Sequence, residues 1–370
     1  MKIAIVNTLP VPSGNASVNR LLSYAKELVR LGNVVTVLSS AGSEDKDGTI
    51  EGVKYNNYGN LGLIKALLAI LKSIRREKPD IVILVSNSLL LIYPLWFTCK
   101  TSGIKLLQEK SEFPFVLKNT SFLGGLYAKF YVGTTYKLFD GLIVMTKPLM
   151  VYLKDKVRKT VRLFEMPMTV DCERFKISKN ESELGDYIAY CGDMAGNKDG
   201  VVNLIEAFDI ASKKINDVKL LLIGGSSNPD EFTKIKQLTE SLGNDRIVFY
   251  GRAERDEIPQ LLINAKALAL ARPSSLQSSG GFPTKLGEYL STGNPVIITK
   301  VGDIPNYLND ENAFVVEPDD KKAFATAIVS VFDDYEKARQ IGEKGKELAL
   351  SVFNAKVQTK RLNVFLNSLI

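Results

Sequence analysis

Residues 274–295 read SSLQSSGGFPTKLGEYLSTGNP, and this stretch says more about fold and function than any other part of the chain. A segment rich in serine and glycine leads into a short helix that we expect to open near Thr284 and to end at Gly293. The free amides at such a helix start, with the helix dipole behind them, favour an anion such as phosphate. Glu288 follows one turn later on the same face, where a carboxylate accepts hydrogen bonds from ribose or sugar hydroxyls. An ordinary strand–loop–helix connection with a solvated Glu288 is the alternative.

Outward from this stretch, short β-branched strands alternate with amphipathic helices. Strands are predicted over residues 2–6, 34–38, 81–84, 105–108, 142–145, 187–191, 219–223, 247–250, 267–271, 296–299 and 313–316. Helices are predicted over residues 18–31, 63–76, 201–213, 232–242, 257–265 and 284–291. Further helices are predicted after the strand 81–84, from Pro148, from Asp319–Asp320 and, in two segments, over residues 335–369. Such alternation indicates an α/β protein with parallel sheets, whose ligands bind beyond the carboxyl ends of the strands. Apolar periodicity lapses in the polar residues 178–186, which favours a division into two domains.

Composition excludes several classes of function. The 370 residues suffice for two domains, and 45% hydrophobic with 24% charged residues argues against disorder. The absence of histidine excludes Ser-His-Asp and Cys-His nucleophiles and every histidine-ligated metal site. Three widely spaced cysteines fit neither a disulfide framework nor a metal finger. The first residues lack a secretory apolar core, so we expect a cytoplasmic protein that is at most peripheral to the membrane.

Charge is unevenly distributed along the chain. Residues 1–170 hold 23 Lys/Arg and 12 Asp/Glu, a net +11, whereas residues 171–370 hold 25 and 29, a net −4. A basic first half suggests an anionic partner, and without a nucleic-acid-binding motif an anionic membrane is favoured over nucleic acid. Residues 113–139 interleave aromatic residues with lysines, which suits a membrane interface. A core helix with basic edges, or a merely basic solvated surface, is the alternative.

The motifs resemble a known family. GGFPTKLGEYLSTGNPVI, residues 280–297, resembles the signature of retaining glycosyltransferase family 4, which has the GT-B architecture. Further segments resemble the family in order and spacing: residues 2–40, 138–153, 166–175, 188–208 and 248–262. The resemblance implies two Rossmann-like domains facing a cleft. An acceptor-side domain would span residues 1–172, with residues 355–370 packing back onto it, and a donor-binding domain would span residues 173–354.

The resemblance also implies roles for individual residues. Glu288 matches the acid that binds the nucleotide ribose, Lys198 the lysine that neutralises the donor diphosphate, and Gly14 the glycine loop near the same phosphates. The other donor-binding positions form one loop of six residues: Gly281, Phe282, Pro283, Thr284, Lys285 and Leu286.

Three departures from the family pattern are visible. Gly280 stands where an acid usually contacts the donor sugar, Asp193 stands where an arginine usually follows Gly192, and the first-domain histidine is missing. Arg272, directly after the predicted strand 267–271, is placed to supply the missing cation, and Lys285 is a second candidate. Surface salt bridges are the alternative for both.

Glu109 and Glu112 follow the predicted strand 105–108 at its carboxyl end. One of them could orient the acceptor hydroxyl or take its proton, and we favour Glu109 as the catalytic residue and Glu112 as an acceptor-side residue. A solvated charged loop is the alternative. Asp319 and Asp320 are interpreted as a helix cap rather than a metal signature.

The predicted function is transfer of a hexose-like sugar, with retention, from a nucleotide-sugar to a saccharide or lipid-linked acceptor in cell-surface polysaccharide synthesis. Lys198, Arg272 and the amides near Thr284 would stabilise the departing diphosphate without a metal or another cofactor. A nucleotide-sugar 2-epimerase of the same architecture is one alternative, although the missing histidine counts against it. A non-catalytic nucleotide-sugar-binding protein is the other, made plausible by Gly280 and Asp193.

Overall fold

The computed structural model describes residues 1–13, 15–114, 122–180, 183–195 and 198–370, and it divides the chain into two compact units. Unit 1 comprises Met1–Thr169 and Ala355–Ile370, and unit 2 comprises Val170–Asn354. The first division therefore falls three residues before the end of the predicted first domain at residue 172. The last segment of the chain, from Ala355 onward, is part of unit 1.

Unit 1 is built on an eight-stranded sheet. Its strands are β1 (Lys2–Asn7), β2 (Val34–Ser39), β3 (Asp47–Ile50), β4 (Val53–Asn57), β5 (Ile81–Val85), β6 (Lys105–Lys110), β7 (Gly141–Val144) and β8 (Arg162–Glu165). Their order is β3-β4-β2-β1-β5-β6-β7-β8, and every pair is parallel except the β3–β4 hairpin. The helices that follow these strands in the chain are α1 (Ala16–Arg30), α2 (Leu63–Glu77), α3 (Leu89–Ser102), α4 (Phe122–Thr134) and α5 (Lys147–Lys154).

Unit 2 is built on a six-stranded parallel sheet. Its strands are β9 (Asp186–Cys191), β10 (Val218–Ile223), β11 (Ile247–Gly251), β12 (Ala267–Leu270), β13 (Val296–Thr299) and β14 (Phe314–Val316), in the order β11-β10-β9-β12-β13-β14. Its helices are α6 (Val201–Ser212), α7 (Pro229–Leu242), α8 (Ile258–Asn264), α9 (Leu276–Gly280), α10 (Lys285–Thr292), α11 (Lys321–Asp333) and α12 (Tyr335–Leu348). After a π-helical turn at Ala349–Phe353, α13 (Ala355–Asn367) returns to unit 1.

Both faces of the unit 1 sheet are buried, because successive strand residues point to opposite sides. Ile3 and Ile5 of β1 pack in one core with α1 and α13, and Ala4 and Val6 pack in a second core with α2, α3 and α5. A strand covered on both faces needs a nearly continuous apolar sequence, which β1 (KIAIVN) has. Each fully buried aliphatic side chain contributes about 1.5–3 kcal/mol to folding.

The α/β class with two parallel sheets is confirmed, but four elements of the structure were not predicted. They are β3, β4, β8 and α9. The hairpin strands β3 (DGTI) and β4 (VKYNN) are short, largely polar and partly exposed, so they lack the apolar runs of the central strands. Residues 276–280, interpreted as loop, form α9, whose first turn is closed by reciprocal hydrogen bonds between Ser275 and Ser278.

Strand order identifies where each unit can bind a ligand. In unit 2 the chain runs outward from β9 through β10 to β11 and then crosses to β12 on the other side of β9. The crevice beyond the carboxyl ends of β9 and β12 is therefore the topological switch point of this sheet, the usual ligand position in open parallel sheets. By the same reasoning β1 and β5 flank the switch point of unit 1. Within the described ranges no helix has the length and apolar character needed to cross a membrane.

Candidate donor-binding site

Helix α10 is fixed against the end of β9 by Tyr289. The hydroxyl of this fully buried tyrosine accepts a hydrogen bond from the backbone N–H of Cys191, the last residue of β9, at 2.7 Å. At the other end of the helix, Gly293 adopts a φ of 78°, the left-handed conformation in which glycine commonly ends helices. The first turn of α10, which carries Lys285 and Glu288, therefore lies at the switch point of unit 2.

A cluster of charged side chains occupies this switch point. The Nζ of Lys285 pairs with Oδ2 of Asp199 and lies 3.2 Å from the hydroxyl of Tyr190. Arg272, 2% exposed, follows β12; its Nε lies 3.7 Å from Oδ1 of Asp199 and donates to the backbone carbonyl of Lys198 at 3.2 Å. Three of the predicted site residues, Lys198, Arg272 and Lys285, are thus brought together around one carboxylate. Among the described residues this cluster has a net positive charge.

Two carboxylates in the site have pKa values that move in opposite directions. Burial raises the pKa of Asp199, but the cations Lys285, Arg272 and Lys198 outweigh it, so its pKa lies below the ordinary value and it stays ionised. For Glu288, burial is the larger effect and raises the pKa above the ordinary value, although Arg174, with Nη1 3.2 Å from Oε1, opposes it. Asp199 therefore acts as a fixed negative charge among the cations. The ionised form of Glu288, by contrast, is destabilised by burial.

The glycine at the end of β9 leaves room for Lys285. A Cβ on Gly192 would lie 2.2 Å from Nζ of Lys285, so the amine rests against the glycine backbone. The next residue, Asp193, replaces the arginine that the resemblance leads one to expect, and its Oδ1 accepts from the backbone N–H groups of Ala195 (2.8 Å) and Ser227 (3.1 Å). Asp193 thereby fastens the loop after β9 to the loop after β10.

The predicted phosphate-facing loop is anchored by its apolar residues. Phe282 is buried against Tyr307 and Phe353, with ring centroids 5.7 and 5.5 Å apart. Pro283 and Leu286 are also buried. These side chains hold the loop in place rather than face solvent.

Two amides of this loop already have partners. The N–H of Gly281 donates to the backbone carbonyl of Gln277 in α9, and the N–H of Leu286 donates to that of Pro283, each at 3.1 Å. Thr284 is the N-cap residue of α10, and its side chain makes no capping hydrogen bond. The N–H groups of Gly281 and Leu286 are therefore used within the protein, so not all six loop residues offer an amide to an anion.

In unit 1, Glu109 lies in a buried network. Oε1 accepts from Nε of Arg20 at 2.5 Å, and Oε2 accepts from the hydroxyl of Tyr24 at 2.8 Å. Arg20 also donates to the backbone carbonyls of Pro167 (2.7 Å) and Met166 (3.0 Å). Both oxygens of Glu109 are engaged in holding α1 to β6, and its role in proton transfer stays a prediction.

The neighbouring residues of β6 have different surroundings. Lys110 is buried and donates to Asn87 and to the hydroxyl of Tyr131; burial lowers its pKa to about 7, opposed by Glu112. Glu112 itself is half-buried. Gly14, the predicted first-domain phosphate residue, lies outside the described residues.

Sequence reasoning missed three residues that organise these sites: Asp199, Arg174 and Arg20. The position of Asp199 directly after Lys198 was a usable signal, because an acid beside a predicted phosphate-binding lysine has to be neutralised. Arg174 lies within a segment that resembles the family, but its partner Glu288 is 114 residues away. Among the described residues there is no group of three or more His, Cys, Asp or Glu side chains arranged to hold a metal ion.

Comparison with known proteins finds similarity in the unit that carries the cluster. Residues 173–348, within unit 2, match the family model of glycosyl transferases group 1. The capsular polysaccharide biosynthesis glycosyltransferase CapM of Staphylococcus aureus is 26% identical over 235 residues. That alignment covers 56% of this chain and 55% of CapM, so the chain spans about half the length of this relative.

Solved structures share the fold of the whole chain. Sucrose-phosphate synthase from Thermosynechococcus elongatus aligns with a TM-score of 0.79 and 16% identity, covering 100% of this chain and 98% of that one. Anabaena HepE in complex with UDP-glucose aligns with a TM-score of 0.76 and 16% identity over 100% of both chains. The prediction of a GT-B fold with two Rossmann-like domains is confirmed.

Proposed function

We propose that the chain transfers a sugar from a nucleotide-sugar donor to a saccharide or lipid-linked acceptor. The observation that carries this proposal is the grouping of Lys198, Arg272 and Lys285 around Asp199 at the switch point of the unit that matches glycosyl transferases group 1. Sugar transfer leaves a nucleoside diphosphate, so negative charge develops at the phosphates as the glycosidic bond breaks. Preorganised cations in a poorly solvated site stabilise that charge without reorganising during the reaction.

Within this proposal each predicted donor residue has a distinct task. Lys198 and Arg272 face the diphosphate, and Lys285 is a third cation at the same site. Glu288 accepts hydrogen bonds from the ribose hydroxyls. These bonds replace part of the hydration that its carboxylate loses on burial. The loop 281–286 brings backbone close to the phosphates, and Gly14, for which the resemblance implies the same role, lies outside the described residues. HepE was solved with UDP-glucose, which makes uridine nucleotides the first donors to test.

We further propose a retaining, metal-independent reaction of the family 4 type, with a hexose as the transferred sugar. The resemblance of residues 280–297 supports retention. Independence from metal is supported by the cations themselves, because they provide at the diphosphate the charge that a divalent ion supplies in metal-dependent transferases. Nuclear magnetic resonance of the newly formed anomeric linkage tests retention, and an assay in excess chelator tests metal independence.

Unit 1 is proposed as the acceptor side. Glu112, half-buried after β6, is the carboxylate proposed to meet an acceptor hydroxyl, because it is more accessible than the buried Glu109. The relationship to CapM supports an acceptor in cell-surface polysaccharide synthesis. A lipid-linked acceptor would lie in a bilayer, so we propose that the reaction takes place at the inner face of the cell membrane.

A non-catalytic donor-binding protein is the second candidate. Gly280, where the family pattern has a sugar-contacting acid, is buried at the end of α9, and Asp193 binds loop amides instead of supplying a cation. The donor site therefore departs from the family pattern where the sugar is expected.

The two candidates, and the epimerase alternative, separate in one assay. The full chain is incubated with UDP-glucose, with and without lipid extract from cells; released UDP and conversion of the donor are measured in the same samples, and donor binding is measured in parallel. We expect release that requires the extract and that is lost in Lys198→Met and Glu288→Ala, with the distant Lys322→Met as the matched control. Binding without release would favour the non-catalytic candidate, and conversion of donor without extract would favour the epimerase.

A further inference from the structure

The helices on one side of the unit 1 sheet have an unusual outer surface. Inward-facing residues of α2, α3 and α5, with Tyr131 of α4, form a core with alternate residues of the sheet. On the outside, large apolar side chains are exposed on every one of the four helices α2–α5. Among the described residues they are Leu63, Ile64 and Leu68 of α2, Leu90 and Phe97 of α3, Leu126, Tyr127 and Phe130 of α4, and Val151 of α5. We call these residues and the cations between them the α2–α5 surface.

The charge of this surface is predominantly positive. The four helices contain eight Lys/Arg residues and one acid, Glu77, a net +7 that equals the net charge of the entire chain. All eight cations are exposed: Lys65, Lys72, Arg75, Arg76, Lys100, Lys129, Lys147 and Lys154. Apolar and cationic side chains alternate along the outer face of α2, where Ile64 and Leu68 are 74% and 60% exposed.

Contacts between neighbouring helices join α2 to α3 and α3 to α4 along this surface. Arg75 of α2 donates to the hydroxyl of Thr98 on α3 at 3.3 Å. Tyr93 of α3 packs on Phe130 of α4, with ring centroids 6.4 Å apart, and its hydroxyl lies 2.9 Å from that of Thr134. Residues 115–121, part of the aromatic and basic segment identified in the sequence, lie outside the described residues.

Other surfaces lack this combination. On the opposite side of the same sheet, exposed large apolar side chains within α1 and α13 are limited, in the described part, to Val357 and Val364. Unit 2 exposes four across its described residues: Ile177, Val202, Leu276 and Leu350. Exposed apolar area that coincides with dense positive charge marks an interaction site rather than ordinary surface.

We propose that the α2–α5 surface docks the protein on an anionic lipid bilayer. Apolar side chains such as Ile64, Leu68 and Phe97 enter the boundary between headgroups and acyl chains, while the surrounding lysines and arginines meet anionic headgroups. Aromatic residues at the rim suit the same interface. The inference deepens the proposed function, since a lipid-linked acceptor lies in such a bilayer, but docking itself needs neither donor nor acceptor.

Vesicle co-sedimentation of the full chain tests the proposal. We expect binding to phosphatidylcholine vesicles containing 30% phosphatidylserine, little binding to pure phosphatidylcholine, and loss of binding as salt is raised. Replacing Lys65 and Lys72 with Gln removes two cations, each of which changes the partition coefficient about fivefold, so the pair lowers it about 25-fold. In the double variant Ile64→Ser/Leu68→Ser, the loss of each apolar side chain lowers the partition coefficient about tenfold.

Matched variants elsewhere separate this surface from general charge and hydrophobicity. Lys337→Gln with Lys344→Gln on α12, and Leu276→Ser with Val364→Ser, change the same residue types at exposed positions and should leave partitioning unchanged. Equal losses in control and test variants would overturn the proposal, as would equal binding to neutral vesicles. A change of oligomeric state in Ile64→Ser/Leu68→Ser without a change in vesicle binding would instead identify a protein interface. Donor binding by these variants, measured separately, reports on the proposed function alone.

Discussion

The two units bury charge in different ways. In unit 1, Glu109 meets Arg20 and Tyr24, and the remaining donors of Arg20 reach two backbone carbonyls, so the positive and negative groups match. In unit 2, the single carboxylate of Asp199 faces Lys285, Arg272 and Lys198. A matched network stabilises architecture, whereas an excess of cations around one partly buried carboxylate is the arrangement that we propose for binding a further anion. The comparison therefore contrasts a structural ion pair with a proposed binding site, although the sequence presents both as acids and bases after parallel strands.

The largest effect is expected from breaking the matched pair. Glu109→Ala leaves the guanidinium of Arg20 buried without its carboxylate, which should lower the free energy of unfolding by about 3–5 kcal/mol. Urea denaturation measures the loss. The double variant Arg20→Met/Glu109→Leu should recover much of it. A stable Glu109→Ala protein without transferase activity would instead assign Glu109 to catalysis.

A smaller effect on binding is expected from the surplus cations. Lys285→Met removes a charge-assisted contact to the donor diphosphate and should weaken donor binding by about 1.5–3 kcal/mol. Because Asp199 keeps Arg272 as a partner, the fold should be retained. Titration calorimetry with UDP-glucose measures the change, with exposed Lys322→Met as control. Unchanged affinity in Lys285→Met would confine this lysine to pairing with Asp199.

Acid titration should distinguish the two carboxylates of unit 2. The pKa of Asp199 is below its ordinary value, so the unfolded chain binds more protons and stability falls as pH drops through the acid range. The pKa of Glu288 is raised, so its contribution has the opposite sign: it favours folding at low pH and is lost as pH rises through the raised value. Urea denaturation between pH 3 and pH 7, roughly spanning both ordinary values, should show a shallower acid loss in Asp199→Asn. An identical pH profile in Asp199→Asn and the wild type would contradict the assignment.

The smallest expected effect on stability is a gain. Glu288→Gln replaces a carboxylate whose raised pKa makes its ionised form unfavourable, so the ligand-free protein should be slightly more stable at pH 7 while donor binding weakens. Thermal unfolding with and without UDP-glucose measures both quantities. A loss of stability without a loss of binding would show that Glu288 serves the fold through Arg174.

The central strands and the helix that carries Glu288 could be predicted from sequence, for identifiable reasons. β1 is a continuous apolar run, and the spacing from Thr284 to Glu288 is one helical turn. The hairpin β3–β4 was missed because its polar residues derive their strand geometry from pairing with each other and with β2. The pairing of Lys285 with Asp199, 86 residues apart, follows from sheet topology and has no local signal. The same holds for Arg20 and Glu109, which are 89 residues apart.

Thermal unfolding with a panel of UDP-, GDP-, ADP- and TDP-sugars tests the anion site of unit 2 most directly, with Glu288→Ala and Lys285→Met alongside. A ligand at about 100 times its dissociation constant adds about 2.7 kcal/mol of stability, which a melting shift detects readily. We expect sugars of one base to raise the melting temperature of the wild type, and both variants to lose that rise. No rise with any of the four classes, or an undiminished rise in both variants, would contradict a donor site at Lys198, Arg272 and Lys285.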